Sequence, residues 1–291
     1  MMPEVLCDGL VFGEGPRWHD GRLWLSDQHD HKIWQVTAEG ERSLFAEFDD
    51  MPSGLGFLAD GTVLVAMIRT EQVLALSPDG RSRRVHSDLS AVLPGTGHVN
   101  DMVVDPLGRA YVGVRRDGYA DFAGTGPDGI ALVAPDASAT LVEPDFRLAN
   151  GLAVTADGST LISGSTASGQ LGAWSIAADG TLGPRRLFAQ TSGPADGICL
   201  DEAGGVWVGH PHDGCFERVL EGGEVTDRID VDGWAIACVL GGPDRRRLHL
   251  VVTDMGDEDI ANLQDPAYDL KSRARSRVEV VDVEHAGAGS P

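Results

Sequence analysis

Oxygen-bearing side chains recur at one register of the sequence: Glu14-Gly15, Ser53-Gly54, Asn100-Asp101, Asn150-Gly151 and Asp196-Gly197. If these positions meet, two carboxylates and two amides share a narrow space. Carboxylates that face one another repel and are costly to bury unless a cation lies between them. A set made only of oxygen ligands, with no Cys or His at these positions, suits a hard ion such as Ca²⁺, Mg²⁺ or Mn²⁺ better than zinc. Asn-Gly and Asp-Gly also mark ordinary turns. What separates these pairs from turns is their shared register, each at the start of an apolar strand.

The register comes from an internal repeat. A turn containing Asp or Gly is followed by an alternating apolar strand at Gly21-Arg22-Leu23-Trp24, Gly61-Thr62-Val63-Leu64, Gly108-Arg109-Ala110-Tyr111, Gly158-Ser159-Thr160-Leu161 and Gly204-Gly205-Val206-Trp207. A looser sixth copy stands at Arg245-Arg246-Arg247-Leu248. Units of about 40 to 50 residues, each with four short strands of period two, predict an all-β, six-bladed β-propeller of four-stranded blades around a central channel. Eight residues before the turn in repeats two to five stand Ser53, Asn100, Asn150 and Asp196; seven before it in the first stands Glu14, and Ala237 takes the place in the last. The inner strands of a propeller line its channel, so this ring is predicted at the axis.

The propeller is expected to fill residues 1–285, with 286–291 a flexible, frayed tail. Arg277–Val283 is expected in the last blade, and Glu4–Cys7 is a candidate outer strand closing the ring. The Gly-rich loop 113–128 is expected on a rim, where substrates are gated. Trp24, Trp174, Trp207 and Trp234 read as packing between blades, and Asp49-Asp50 and Glu258-Asp259 as solvated loops.

The formal charge is −22, from 45 acidic against 23 basic residues. Nucleic acid and anionic membranes need a basic face and are excluded as partners. Thirty-eight Gly and 15 Pro call for many tight turns. No run reaches the roughly 20 apolar residues of a membrane helix, and the first residues lack the pattern of an export signal. Cys7, Cys199, Cys215 and Cys238 form no CxxC pair and read as buried free thiols, which suits the cytoplasm.

The segments Glu14-Gly15-Pro16-Arg17-Trp18, Asn100-Asp101-Met102-Val103-Val104-Asp105-Pro106, Asn150-Gly151-Leu152 and Pro194-Ala195-Asp196-Gly197-Ile198 resemble the signatures of the SMP-30/gluconolactonase/luciferin-regenerating enzyme family. The resemblance implies a propeller with one divalent cation, Ca²⁺ foremost and Mg²⁺, Mn²⁺ or Zn²⁺ as alternatives, held by Glu14, Asn150 and Asp196. It implies a lactone-opening hydrolase in which Asn100 faces substrate and Asp196 activates water, with Asp101 as the fallback base and a further substrate contact. Arylester or organophosphate hydrolysis, a metal-free condensation like that of strictosidine synthase relatives, and a non-catalytic binding propeller rank behind it. Two departures bear on a sugar substrate: His98 stands where members often carry Arg, and Gly164-Ser165-Thr166 lacks a common acidic residue. His98, His210 and His212 are weighed as substrate contacts. The expected partner is a small neutral lactone or ester, taken by a monomer or small homo-oligomer.

Overall fold

The computed structural model describes residues 2–93, 97–115, 128–263, 265 and 268–289. Apolar residues alternating at period two form strands with one face to each neighbouring layer, and the strands assemble into six antiparallel sheets of four. The sheets are the blades of a six-bladed β-propeller, as expected. Its innermost strands are Gly13–His19, Pro52–Phe57, His98–Val104, Ala149–Val154, Ile198–Leu200 and Trp234–Gly241. In blades one to five the other three strands follow outward in chain order. In blade six the outermost strand is N-terminal: Glu4–Leu10 pairs antiparallel with Arg275–Asp282. Hydrogen bonds between the first and last strands therefore close the ring.

The core lies between blades rather than within one. Each of the six junctions has its own apolar cluster. Leu64 and Val73 of blade two pack with Val104 and Val112 of blade three, and Trp174 of blade four packs with Tyr111 and Ile130 of blade three. Trp24, Trp174 and Trp207 are buried in such junctions, as expected. Trp234 is not; it is half-buried beside a cavity.

Local contacts add detail that the repeat does not carry. The tail is anchored over its described part: Ala286 O accepts from Glu202 N at 2.8 Å, Gly287 N donates to Arg245 O at 2.8 Å, and Ala288 N donates to Leu200 O at 2.9 Å. Backbone groups make these bonds, so the small residues of the tail gave no sign of them. Asp49 is exposed in a surface loop, and Asp50 beside it accepts from the backbone N–H and the hydroxyl of Thr70, each at 2.9 Å. The expectation that Glu258-Asp259 forms a solvated loop is corrected: both lie in the short helix Asp257–Ala261, where Glu258 is exposed but Asp259 is buried and ion-paired with Arg273. Of the loop 113–128, residues 116–127 lie outside the described residues. No helix among the described residues is long and apolar enough to cross a membrane.

Candidate metal centre and substrate cavity

The axial side chains sit where the inner strands slip. Pairing with the next strand shifts between Glu14 and Arg17, Pro52 and Leu55, Val99 and Met102, Asn150 and Leu152, and Ala235 and Ala237. A bulge bends the strand and re-aims a side chain, so bulges at one register in five blades re-aim one ring of side chains. In blade five the inner strand starts only at Ile198, and Asp196 is held just ahead of it by its N–H on Gly209 O at 3.0 Å. The glycines that follow serve the close approach of neighbouring blades. A Cβ on Gly54 would lie 2.2 Å from Met102 N, and one on Gly151, at φ +22°, 2.4 Å from Asp196 O.

Glu14, Asn100, Asn150 and Asp196 are brought together in one cavity of about 440 Å³, along with Gln28 and Thr166. Ser53 stays in the ring below it, its hydroxyl bonded to Gln28 Nε2 at 3.1 Å. Thr166 fixes Asn150: its hydroxyl accepts from Asn150 Nδ2 at 3.2 Å and donates to Ala195 O at 2.9 Å. Asn150 Oδ1 in turn accepts from Gly151 N at 3.0 Å.

Burial, and then the charge of Asp101, pushes the Glu14 carboxyl up to about 8, against the opposing pull of the Gly15 N–H and Arg17. Asp196 is raised well above the usual carboxylate range by burial first, then by the charges of Glu14 and Asp101, with the Asn150 amide offsetting part of this. Asp196 Oδ1 is buried with no hydrogen-bond partner among the described residues. No Lys or Arg lines the cavity among those residues either. Two carboxylates and an amide oxygen without a counter-charge are a donor set fitted to a hard cation. No three residues of the His, Cys, Asp and Glu types converge among the described residues, so the set is completed by amide oxygen or not at all.

The remaining predicted residues divide. His98 lines the cavity, and burial lowers its pKa. His212 also lines it, edge-on to Trp234 with ring centroids 4.7 Å apart. His210 is fully buried with Nδ1 3.0 Å from Pro194 O and Nε2 3.4 Å from Glu217, a packing role. Asp101 is not brought to the cavity. Its Oδ1 takes the Arg17 guanidinium at 2.8 Å and the Met102 N–H at 2.8 Å. Phe12, Leu148 and Pro194 line the walls and were missed, although each lies two residues before an axial position, as His98 does. The same register, read two residues earlier, was the signal. Gln28 offered none.

The model of the SMP-30/Gluconolactonase/LRE-like region matches residues 12–254. The chain belongs to this family. Among its relatives, pentonolactonase XacC of Haloferax volcanii is 26% identical over 263 residues, which are 88% of this chain and 86% of that protein. A solved luciferin-regenerating enzyme superposes with TM-score 0.80 at 20% identity, covering 99% of both chains. The calcium-binding protein regucalcin from Agrobacterium tumefaciens superposes with TM-score 0.78 at 23% identity, over 97% of this chain and 93% of that one. At these identities the two structures speak for the fold of this SMP-30 family member.

Proposed function

We propose that the chain is a hydrolase that opens a lactone, with a divalent cation, Ca²⁺ foremost, held by Glu14, Asn150 and Asp196. The observation that carries this reading is the pair of buried carboxylates in one cavity with no Lys or Arg lining it among the described residues. The name of the Haloferax volcanii relative, a pentonolactonase, and the calcium-binding regucalcin neighbour support it. Such a cation, when bound, supplies Lewis-acid polarisation of a carbonyl and stabilises the oxyanion that forms from it.

The side chains do the rest. Asn100, in the same cavity, donates its amide to the carbonyl or ring oxygen of the lactone and orients it. His98, kept neutral by burial, contacts the substrate from the wall. Asp196 accepts a proton from the attacking water. The water oxygen bonds to the carbonyl carbon, the bond from that carbon to the ring oxygen breaks, and the ring oxygen takes up a proton to give a hydroxy acid. Asp101 is left out of this assignment, since Arg17 holds it. The four free, buried thiols suit a reducing compartment and favour the cytoplasm.

Chelation is expected to abolish turnover, and Asp196→Ala to lower kcat/KM by at least about 10²-fold while removing cation binding in calorimetry. Full turnover after exhaustive metal removal would overturn the assignment.

A further inference from the structure

Above the cavity, blade six is unlike its neighbours. In blades one, two, four and five the second and third strands are joined by short turns: 28–31, 68–71, 166–169 and 211–214. In blade six the same connection runs over 255–274. Its described part brings a seventh apolar cluster, beyond the six at the blade junctions. Phe12, Ile236 and Leu270 are buried in it, and Trp234, Met255 and Leu263 pack on it half-buried.

This wall is a built structure. The short helix Asp257–Ala261 is pinned through Asp259, whose Oδ2 accepts from Gly256 N at 2.7 Å and whose Oδ1 accepts from the Tyr268 hydroxyl at 2.7 Å and from Arg273 Nε. Held in this way, Ile260 and Leu263 line the cavity while half-buried, together with Trp234, Ile236, Met255 and Phe12. The cations nearby are committed elsewhere: Lys271 pairs with Asp30 at 3.0 Å, and Arg273 with Asp259 and Glu258. Asn262 and Asp265 also line the cavity, but the Asn262 amide N–H is committed to Glu258 O at 2.8 Å and Asp265 stands exposed. Most polar groups that could meet a substrate lie near the axis, and His212, Asn262 and Asp265 are the polar residues of the wall.

We propose that this wall is a subsite for an apolar substituent, and that the substrate is an uncharged lactone carrying an alkyl or aryl group on its ring. The proposal rests on the lactone-opening reading of the same cavity. A polyhydroxylated ring would set hydroxyls against Trp234, Met255, Ile260 and Leu263 with no partners to replace water. An alkyl chain there loses water contact at no such cost, and each methylene buried is worth about fourfold in binding.

The test is done on the full chain in Ca²⁺, in two parts. Hydrolysis of γ-decalactone, γ-butyrolactone and glucono-δ-lactone is compared by kcat/KM, and binding of 5-hexyl-2-pyrrolidinone is compared with that of 2-pyrrolidinone by calorimetry. Decalactone is expected to exceed both other lactones at least tenfold, and the hexyl lactam to bind at least tenfold tighter than the bare ring. Ile260→Asn should shrink the ratio of decalactone to butyrolactone. Preference for the aldonolactone, or equal affinity for the two lactams, overturns the subsite. Failure to open any lactone removes the hydrolase reading instead, and the lactam comparison still decides the subsite.

Discussion

Asp101 and Asp196 are both buried aspartates near the channel axis, yet only Asp101 has a guanidinium against it. Arg17 donates to Asp101 Oδ1 at 2.8 Å, to Leu55 O at 3.1 Å and to Met102 O, and so fills the channel from one side. That end narrows to a void of about 20 Å³ beside Ala288 of the C-terminal segment. The other end opens into the 440 Å³ cavity, where Asp196 and Glu14 have no such partner. The same carboxylate chemistry is thus satisfied by a guanidinium at one end and has no Lys or Arg partner among the described residues at the other. A buried carboxylate is informative about function only after its counter-charge has been sought.

The sharpest way to break this contrast is to give the closed end an unpaired charge. Arg17→Met should cost about 3–5 kcal/mol in denaturant unfolding, because it strands Asp101. Adding Asp101→Leu to it should recover most of the loss. A change under about 1 kcal/mol for Arg17→Met would mean that Asp101 is not held as an ion.

A third buried group, away from both ends, shows what happens where burial outweighs the charges nearby. His249, in the blade-six strand Arg247–Asp254, is stacked on Trp18 at 5.2 Å, and burial pushes its pKa down to about 4. The unfolded chain binds the proton first, near pH 6.5. Its contribution is therefore complete above pH 6.5 and lost as pH falls towards 4, a change of about 3 kcal/mol. His249→Phe should flatten that part of the stability profile, and an unchanged acid limb would show that other groups set it.

The smallest expected effect refines the open end. Thr166→Val removes the acceptor that orients Asn150, and the affinity for Ca²⁺ should fall about 10- to 100-fold with the thermal midpoint of the chelated protein unchanged. Unaltered affinity would free Asn150 from the ligand set.

The blades and the axial register were legible because both are periodic: a strand repeats every two residues and a blade every 40 to 50, so Glu14, Asn100, Asn150 and Asp196 fell into line. What escaped were the breaks in that period. The partner of Asp101 lies 84 residues away, across blades, and nothing local to Asn100-Asp101 points to Arg17. The wall of blade six is an insertion, and its Glu258-Asp259 reads as solvent-facing until Tyr268 and Arg273 are found folded back on it. The tail escaped because main-chain bonds leave no mark in side-chain identity.

The pairing of Glu4–Leu10 with Arg275–Asp282 sets an order of events for a chain emerging from the ribosome. Five blades can be made and stacked before the later strands of the sixth are available, so Glu14 of blade one waits for Arg275–Asp282 before its surroundings are complete. The cavity is then an all-or-none property of the closed ring. Any lesion that loosens the seam between the two terminal strands should act on the far-off axial site through assembly rather than through contact.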